Sequence, residues 1–345
     1  MTSPAITLSD ATSRKEWDQF VTSHEEANFL QSWDFYEFHL SRGKKIVRRI
    51  AKSTKTKKII GAYAGVVETA KRGQHLAIAG GPILDWQNQS LVAEMFADMK
   101  KQGIMNHCVF VRVRPQLERS DSAYKIFRQN GLRPAPTFLS VEHAAVLDLH
   151  KSEAEIIKSM HRRIRYAVNN ARNKGFVVER STDPKDIHQF YQIQLQTARR
   201  QNFVSFSEEY LTKQFAAFSK NGEATLYTAK YNGEILAQNF MIFYGNEASY
   251  HYAVSTELGT KLSGSPILHV AAMADARKRK IYRYNLWGIV GEDEKNHRFY
   301  GVSFFKRGFG GEEIKYLPAH DLIISPLKYQ KTKIIELIRK KIRHT

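Results

Sequence analysis

The chain has 345 residues, 42% of them hydrophobic and 12% aromatic, which suffices for two globular domains and excludes a disordered protein. A formal net charge of +19 favours a polyanionic ligand, such as nucleic acid, anionic lipid or a phosphorylated substrate, over a neutral one. The absence of a long apolar run argues against a membrane-spanning helix, and the N-terminal sequence does not resemble a secretory signal. The single cysteine, Cys108, excludes an internal disulfide. We therefore expect a cytoplasmic protein.

The first half of the chain predicts an α+β unit built on a mixed sheet. Two helices are expected near the N-terminus, one from Ser13 to Ser23 and one over 28–39, with Ser32 as the N-cap of the second. Strands are then predicted at Ile46–Ala51, Ile59–Val67, His75–Ile78, Val109–Val113 and 137–149, and helices at 90–102 and 122–130. Gly131 is expected to end the last of these helices.

The second half repeats this order of elements. Helices are predicted at 152–174, 183–200, 207–218 and 266–278, and strands at Phe176–Glu179, Ala224–Tyr231, Glu234–Tyr244, Glu247–Val254 and Tyr282–Trp287. Asn232-Gly233 lies between two alternating apolar runs and predicts a hairpin. Two halves with a similar order predict a duplicated domain, with the ligand in the cleft between the halves.

From Pro326 onward the sequence predicts a basic helix with an apolar stripe. Its apolar residues are Ile334, Ile335, Leu337, Ile338 and Ile342. The helix either closes the core of the first domain or lies on anionic lipid, and the stripe suits both placements equally.

Several kinds of catalytic site lack their sequence signatures. The histidines show no HxxxH or HExxH spacing, and the chain has neither a GxxxxGK[ST] phosphate loop nor a GxSxG elbow. Cys108 lies within an apolar run and is expected to be a buried structural thiol. We therefore expect no metal, no cofactor and no enzyme nucleophile.

Three stretches of the second half carry candidate ligand-binding side chains. The segment from Thr197 to Phe203 contains Arg199 and Arg200 at a helix end, and Tyr250-His251-Tyr252 is expected to present two tyrosines on one face of a strand. In Gly301–Gly311, two phenylalanines precede Lys306 and Arg307, and three glycines follow. That pattern suits a strand end facing an anionic, partly aromatic ligand, or alternatively a buried strand before a glycine turn.

An ordered series of short motifs resembles the Fem peptidoglycan-bridge aminoacyltransferases (FemA, FemB and FemX), and the resemblance covers most of the chain. The motifs are Phe29-Leu30-Gln31-Ser32-Trp33, Gly80-Gly81-Pro82, Pro136-Thr137 before Leu147-Asp148-Leu149, Arg162-Arg163-Ile164-Arg165-Tyr166-Ala167, Thr197-Ala198-Arg199-Arg200 with Phe203, Tyr250-His251-Tyr252, Gly288-Ile289 and Gly301–Gly311. Each motif alone is weak, whereas their order and spacing together are specific.

The resemblance implies two tandem acetyltransferase-like (GNAT) domains with mixed sheets and the substrate cleft between them. Domain 1 would comprise 1–147 plus 318–345, and domain 2 would comprise 148–317. Family members move an amino acid from aminoacyl-tRNA to an amine of the stem peptide of a peptidoglycan precursor, either UDP-MurNAc-pentapeptide or lipid II. Because Lys174 leads directly into Phe176, this chain resembles the compact FemX type without the helical arm.

The resemblance also implies roles for particular residues. Lys306 would be catalytic, stabilising the charge that builds up when an amine attacks the aminoacyl ester. Phe305 and Arg307 would bind the acceptor end of the tRNA. The precursor would be held by Thr197 and Tyr252 together with Arg199 or Arg200, and adjacency in sequence does not decide between the two arginines. His39 stands at a position where the family often has lysine.

Two departures from the family pattern and two other functions remain open. His39 would make precursor binding weaker or pH-dependent unless Lys44 replaces it, and Asn285 stands where an acidic residue is frequent. The other functions are N-acyl transfer from acyl-CoA and non-catalytic binding of RNA or membrane. We expect a monomer that works in the cytoplasm, with peripheral contact to anionic membrane through the C-terminal helix left open.

Overall fold

The computed structural model describes residues 5–70, 73–201 and 204–343. Over these residues the strands are β1 Ile6–Asp10, β2 Lys45–Ser53, β3 Ile59–Ala70, β4 Gly73–Gly80, β5 Ile83–Leu84, β6 Phe110–Pro115, β7 Arg133–Pro134, β8 His143–Asp148, β9 Val177–Ser181, β10 Ala224–Tyr231, β11 Glu234–Tyr244, β12 Glu247–Ser255, β13 Arg283–Gly288, β14 Glu312–Lys315 and β15 His320–Ile323. The helices are α1 Arg14–Val21, α2 Trp33–Ser41, α3 Gln89–Met105, α4 Asp121–Gln129, α5 Glu153–Ser159, α6 Arg162–Asn173, α7 Ile187–Gln201, α8 Glu208–Ser219, α9 Glu257–Leu262, α10 Pro266–Lys278, α11 Tyr300–Arg307 and α12 Pro326–Arg343.

The first compact unit comprises Met1–Glu142 and Lys315–Thr345. Its sheet has the order β1-β2-β3-β4-β6-β15-β7, with β5 beside β3. β4 and β6 run parallel and are joined by a crossover through α3, whereas the other paired strands are antiparallel. Helix α3 packs into the core of this unit because its buried residues Leu91, Met95 and Met99 recur at helical spacing.

The second unit, His143–Ile314, contains the other sheet, in the order β14-β8-β13-β12-β11-β10-β9. Here β12 and β13 are the parallel pair, joined by a crossover through α9 and α10. Residues of α6 and α10 pack with Met241 on one face of the sheet, and Phe215 of α8 packs on Phe240 on the opposite face. The predicted α+β fold with two mixed sheets is confirmed.

The division of the chain differs from the predicted boundary at 147/148. β8 follows the first unit in sequence, but its residues pair with β13 of the second, in the register Asp148 with Arg283 and Leu147 with Tyr284. The whole strand therefore belongs to the second sheet. β15 pairs with β6, and this pairing returns the C-terminal segment to the first sheet.

Local signals in the sequence place most element ends correctly. The hydroxyl of Ser32 accepts a hydrogen bond from the Phe35 amide at 3.1 Å and caps α2, which follows a short 3-10 turn over Phe29–Gln31. Asn232 and Gly233 both have positive φ, as the predicted hairpin requires. These features depend on a few consecutive residues, which explains why they can be predicted.

The helix predicted over 152–174 is wrong as a single element, because it is broken into α5 and α6. Met160 is extended at the break and is buried, with 2% of its surface exposed. The amide of His161 donates to the carbonyl of Gly308 at 2.8 Å. A tertiary contact thus takes the hydrogen bond that a continuous helix would have used.

The strand predicted around Phe304 and Phe305 is also wrong, because these residues lie in helix α11. Ser303 and Lys306 are the buried positions of the helix, three residues apart, and Phe304 is 53% exposed. The Ser303 hydroxyl donates to the carbonyl of Phe299 and accepts from the amide of Val290. The three-residue spacing indicates a helix, whereas the aromatic pair alone suggested a strand.

Candidate active site

Lys306 is a buried cation in the last turn of α11. Its side chain is 7% exposed, and Nζ donates to the carbonyl oxygen of Gly288 at 2.8 Å. The same atom lies 5.6 Å from the ring centroid of Tyr250. An ammonium has three N–H donors, and among the described residues only the Gly288 carbonyl accepts from it. The Lys306 ammonium therefore retains donors for a ligand.

The lysine lies where two parallel strands stop pairing. β12 and β13 are paired only at Glu247–Arg283, Ala248–Tyr284 and Ser249–Asn285. In the first unit, the corresponding pair β4 and β6 continues over six residue pairs. Because Tyr250 and Gly288 lie on β12 and β13 beyond the last pair, Lys306 bridges the two strands where they are no longer hydrogen-bonded to each other.

An irregularity in each strand accompanies this separation. On β12, Phe240 pairs with Tyr252 and the next residue, Met241, pairs with Tyr250, so His251 is an extra residue. On β13, the register with β8 shifts between Asn285 and Gly288. A bulge bends its strand and interrupts regular pairing, which accounts for the separation of β12 and β13 beyond Ser249 and Asn285.

Asn285 holds the bend in β13. Its Oδ1 accepts from the amide of Trp287 at 2.8 Å, and its Nδ2 donates to Glu247 Oε2 at 3.0 Å. Trp287 has φ of 66°, which is rare for a bulky residue. The Asn285 side chain thus acts both as a hydrogen-bond acceptor and as a donor. An ionised carboxylate at this position could accept but not donate.

The environment of Lys306 disfavours its charge. Burial lowers the pKa of the ammonium to about 7. Burial, together with the charge of Lys306, lowers the pKa of nearby His269 to about 3, and the Nδ1 of this imidazole is hydrogen-bonded to the Tyr284 hydroxyl at 2.9 Å. No acidic group among the described residues pairs with Lys306. An anionic ligand would therefore be its natural counter-charge, and it would raise the pKa of the ammonium again.

The side chains that flank Lys306 in sequence are already engaged. Phe305 is half-buried and packs edge-on against Phe309, with centroids 5.2 Å apart, and also contacts His269. Arg307 is paired with Glu313 and donates to the carbonyl of Val290 at 2.6 Å. Phe304 is the exposed aromatic ring beside the lysine.

The glycines after Lys306 allow close packing of the backbone. A Cβ on Gly311 would lie 2.6 Å from the carbonyl oxygen of Val146, and one on Gly310 would lie equally close to that of Ser159. Gly310 also has φ of 79°. These positions therefore let the loop after α11 pass close to the backbone of β8 and α5.

The expectation that Tyr250 and Tyr252 share a strand face is wrong. Because of the bulge, they pair with consecutive residues of β11, whose side chains point to opposite faces. Tyr250 contacts His269 and Lys306, whereas Tyr252 packs on Phe240 and Phe206. The prediction assumed that side chains alternate regularly along the strand. The sequence does not show that His251 is an inserted residue, which breaks this alternation.

Of the remaining predicted binding residues of the second unit, Thr197 lies near the end of β12. The Thr197 hydroxyl donates to the carbonyls of Ile193, at 2.9 Å, and Ser255, at 3.3 Å. Arg199 is exposed on the same helix, α7. Arg200 follows it, but its side chain lies outside the part of the chain that the structure describes, as does Phe203. Thr197 and Arg199 thus lie on the helix that packs on β12, and the structure shows neither in contact with Lys306.

His39, in the first unit, lies among aromatic rings, with its centroid 4.7 Å from that of Phe35. Burial, with a smaller effect of the charges on Arg42 and Lys44, lowers the pKa of His39 to about 4. The imidazole is therefore neutral near pH 7 and does not provide the positive charge of a lysine. Lys44, the suggested replacement, pairs with Glu68 at 2.6 Å.

Sequence reasoning missed three residues that shape the site: His269, Asn285 as a hydrogen-bonding residue, and Trp287. His269 lies within an apolar helix, Pro266–Lys278, which gives no reason to place it beside Lys306. The one usable signal was the Asn-x-Trp-Gly run ending β13, since asparagine and glycine often accompany strand irregularities.

Comparison with known proteins agrees with the fold and the motif series. The sequence model of the FemAB family matches residues 12–131, 134–234 and 219–337. Lipid II:glycine glycyltransferase from Staphylococcus aureus is 21% identical over 243 residues, which cover 63% of this chain and 53% of that protein. The chain therefore spans about half the length of the curated relatives it matches.

Two solved structures have the same fold. A crystal structure of FemX has a TM-score of 0.87 at 17% identity and covers 96% of this chain and 100% of its own. A tandem GNAT protein from the clavulanic acid biosynthesis pathway has a TM-score of 0.56 at 10% identity, with 92% and 98% coverage. The predicted GNAT-like character of the fold is confirmed.

Proposed function

We propose, since the chain belongs to the FemAB family, that it transfers an amino acid from aminoacyl-tRNA to the stem-peptide amine of a peptidoglycan precursor. The observation that carries this proposal is Lys306: a buried ammonium with one protein acceptor, where two parallel strands separate. The glycyltransferase relative supports the class of acceptor, and the net charge of +19 suits two polyanionic substrates. The precursor would be UDP-MurNAc-pentapeptide or lipid II.

The chemistry requires charge stabilisation and no enzyme nucleophile. The neutral acceptor amine attacks the ester carbonyl, the new C–N bond forms, and negative charge develops on the carbonyl oxygen. The C–O bond to the ribose then breaks, and the proton lost by the amine is taken up by the ribose oxygen. Lys306 would donate hydrogen bonds to the oxygen that carries the developing charge, in a site where burial strengthens the interaction.

The neighbouring residues would position the two substrates. Phe305 and Arg307 are proposed for the acceptor end of the tRNA, although part of each is used by contacts within the protein. Thr197, Arg199, Arg200 and Tyr252 are proposed for the precursor. His39 would contribute as a neutral group, because its pKa of about 4 leaves it uncharged.

A single assay distinguishes this function from the alternatives. The protein would be incubated with a charged tRNA carrying a labelled amino acid, labelled acetyl-CoA, and UDP-MurNAc-pentapeptide or lipid II, and the label on the precursor would be followed. We expect transfer from aminoacyl-tRNA only. Transfer from acetyl-CoA alone would show an acyl-CoA-dependent enzyme, and no transfer from either donor would favour a binding protein.

The same assay tests Lys306. Lys306→Met should fold and bind both substrates but transfer slowly, by a factor of about 100 or more, as for the loss of an oxyanion donor. Lys261→Met is the matched control, because Lys261 is an exposed lysine in α9 that pairs with Glu257 of its own helix. Wild-type turnover by Lys306→Met would overturn the catalytic role of the lysine.

A further inference from the structure

Helix α12 packs against the first unit through a polar face. Glu336 and Thr332 are buried, and Glu336 Oε2 accepts from Arg112 Nη2 at 2.8 Å. Tyr329, on the same face, donates to Asp321 Oδ2 at 2.8 Å, and its ring packs edge-on against Phe110. Hydrogen bonds to buried charged groups therefore fix the orientation of this helix.

The apolar face of the same helix points away from the unit. Leu327 is 88% exposed, Ile334 57% and Ile338 54%, and Leu337 is 46% exposed beside them. At 100° per residue, Ile334 and Ile338 lie within about 20° of Leu327, on the side roughly opposite Glu336. A helix that only closes a core would have the reverse orientation, with its isoleucines buried.

Cations border this exposed stripe, which we define as Leu327, Ile334, Leu337 and Ile338. The exposed cations of the helix are Lys328, Lys331, Lys333, Arg339 and Lys340, and its one carboxylate, Glu336, is buried on the other face. The solvent-facing side of α12 thus combines branched aliphatic side chains with positive charge. This combination is typical of helices that lie in the interface of an anionic bilayer.

We propose that the exposed stripe of α12 inserts into the surface of an anionic membrane, with the bordering lysines and arginine on the lipid phosphates. No helix in the described ranges is long and apolar enough to cross a membrane, so the contact would be peripheral. Two other occupants fit less well. A second copy would bring the same cations together, and a nucleic acid would leave aliphatic chains unmatched where stacking needs aromatic rings.

The test is co-sedimentation of the whole protein with vesicles, and it needs no enzymatic activity. We expect binding to phosphatidylglycerol/phosphatidylcholine vesicles, little binding to pure phosphatidylcholine, and weakening by salt. The double variant Ile334→Gln/Ile338→Gln should lower the partition coefficient by about tenfold or more. Val204→Gln, which changes an exposed valine of the second unit, should leave binding unchanged.

Several outcomes would overturn the proposal. These are a wild-type protein that stays in the supernatant, a double variant that binds as tightly as wild type, or equal binding to uncharged vesicles. Light scattering without lipid provides a further outcome: a dimer that the double variant abolishes would show that a second copy covers the stripe. Since both isoleucines are exposed, circular dichroism should show that the double variant is folded.

Discussion

A hydrogen bond between Lys306 and Gly288 connects helix α11 to the end of strand β13 in the candidate site. The ammonium of Lys306, on α11, donates to the carbonyl of Gly288, at the end of β13, over 2.8 Å. This single hydrogen bond does not compensate for removing an ammonium from water, which explains why the pKa of the lysine falls to about 7. The fold therefore tolerates a charge that destabilises it.

The first prediction is that Lys306→Met stabilises the protein while slowing transfer. In the unfolded chain, lysine titrates near its ordinary pKa of about 10.4. Between pH 7 and 10 the unfolded state thus binds more protons than the folded state, so the contribution of Lys306 to stability rises with pH across that window. The variant should gain about 2–4 kcal/mol near pH 7, and the gain should shrink toward pH 10.

Urea unfolding of the wild type and of Lys306→Met at several pH values measures this difference. Lys261→Met again serves as the control and should change the free energy of unfolding by less than about 0.5 kcal/mol. A Lys306→Met variant that is less stable than wild type at neutral pH would mean that the ammonium supports the fold.

The second prediction concerns the pH dependence of transfer. If the ammonium is the active form, kcat/KM of the free enzyme should fall as pH rises through about 7, where Lys306 loses its proton. The acceptor amine gains activity over the same range, so the ratio of wild type to Lys306→Arg is the informative quantity. Arginine keeps its charge, and the ratio should therefore fall above pH 7. A rising ratio would indicate that the neutral amine acts as a base.

The third prediction tests Asn285. Asn285→Asp keeps the acceptor for the Trp287 amide but places a second carboxylate beside the buried Glu247. We expect a loss of about 2–3 kcal/mol at pH 7 and a smaller loss near pH 4, where the new carboxyl is protonated and can donate. Asn246→Asp makes the same charge change at an exposed position and should be nearly neutral. Equal stability of both variants would contradict the hydrogen-bonding role of Asn285.

The fourth prediction separates the two aromatic residues before Lys306. Phe305→Leu keeps apolar volume against Phe309 and His269 but removes the aromatic ring proposed to bind the acceptor end of the tRNA, where it can stack on a base. Affinity for aminoacyl-tRNA should fall by about tenfold, within the range for the loss of one stacked base. Phe304→Leu is the matched control, since its ring is 53% exposed. Filter binding would measure the affinity of both variants for aminoacyl-tRNA. A loss of affinity in Phe304→Leu but not in Phe305→Leu would assign the stacking to Phe304.

Much of the fold was predictable because it depends on short-range patterns. The predicted cap at Ser32 places the start of α2, and the predicted helix over 207–218 corresponds to α8. Asn232-Gly233 places the hairpin between β10 and β11. Pro266 and Lys278 bound α10 as predicted. The breaks at Met160 and His251 were not predictable, because each depends on a partner distant in sequence.

The candidate site was predictable only in part, for the same reason. Lys306 was named from a motif series, but its burial depends on the packing of α11, and its bond to Gly288 depends on the bend that Asn285 holds. Tyr250 and Tyr252 were both named, and only the register of β11 against β12 shows that they face opposite sides. His39 was identified as a departure from the family pattern, which often has lysine at this position. Only its burial in the folded chain shows that it is neutral.

The sequence by itself determined the α+β class, the repeated order of elements, the charge that favours polyanions and the ordered motifs of the FemAB family. These properties reside in composition and in neighbours along the chain. The tertiary structure alone decided where β12 and β13 separate, how strongly Lys306 is desolvated and which face of α12 is exposed. Hydrogen-bond register and burial arise from contacts between distant segments, and only the folded chain brings those segments together.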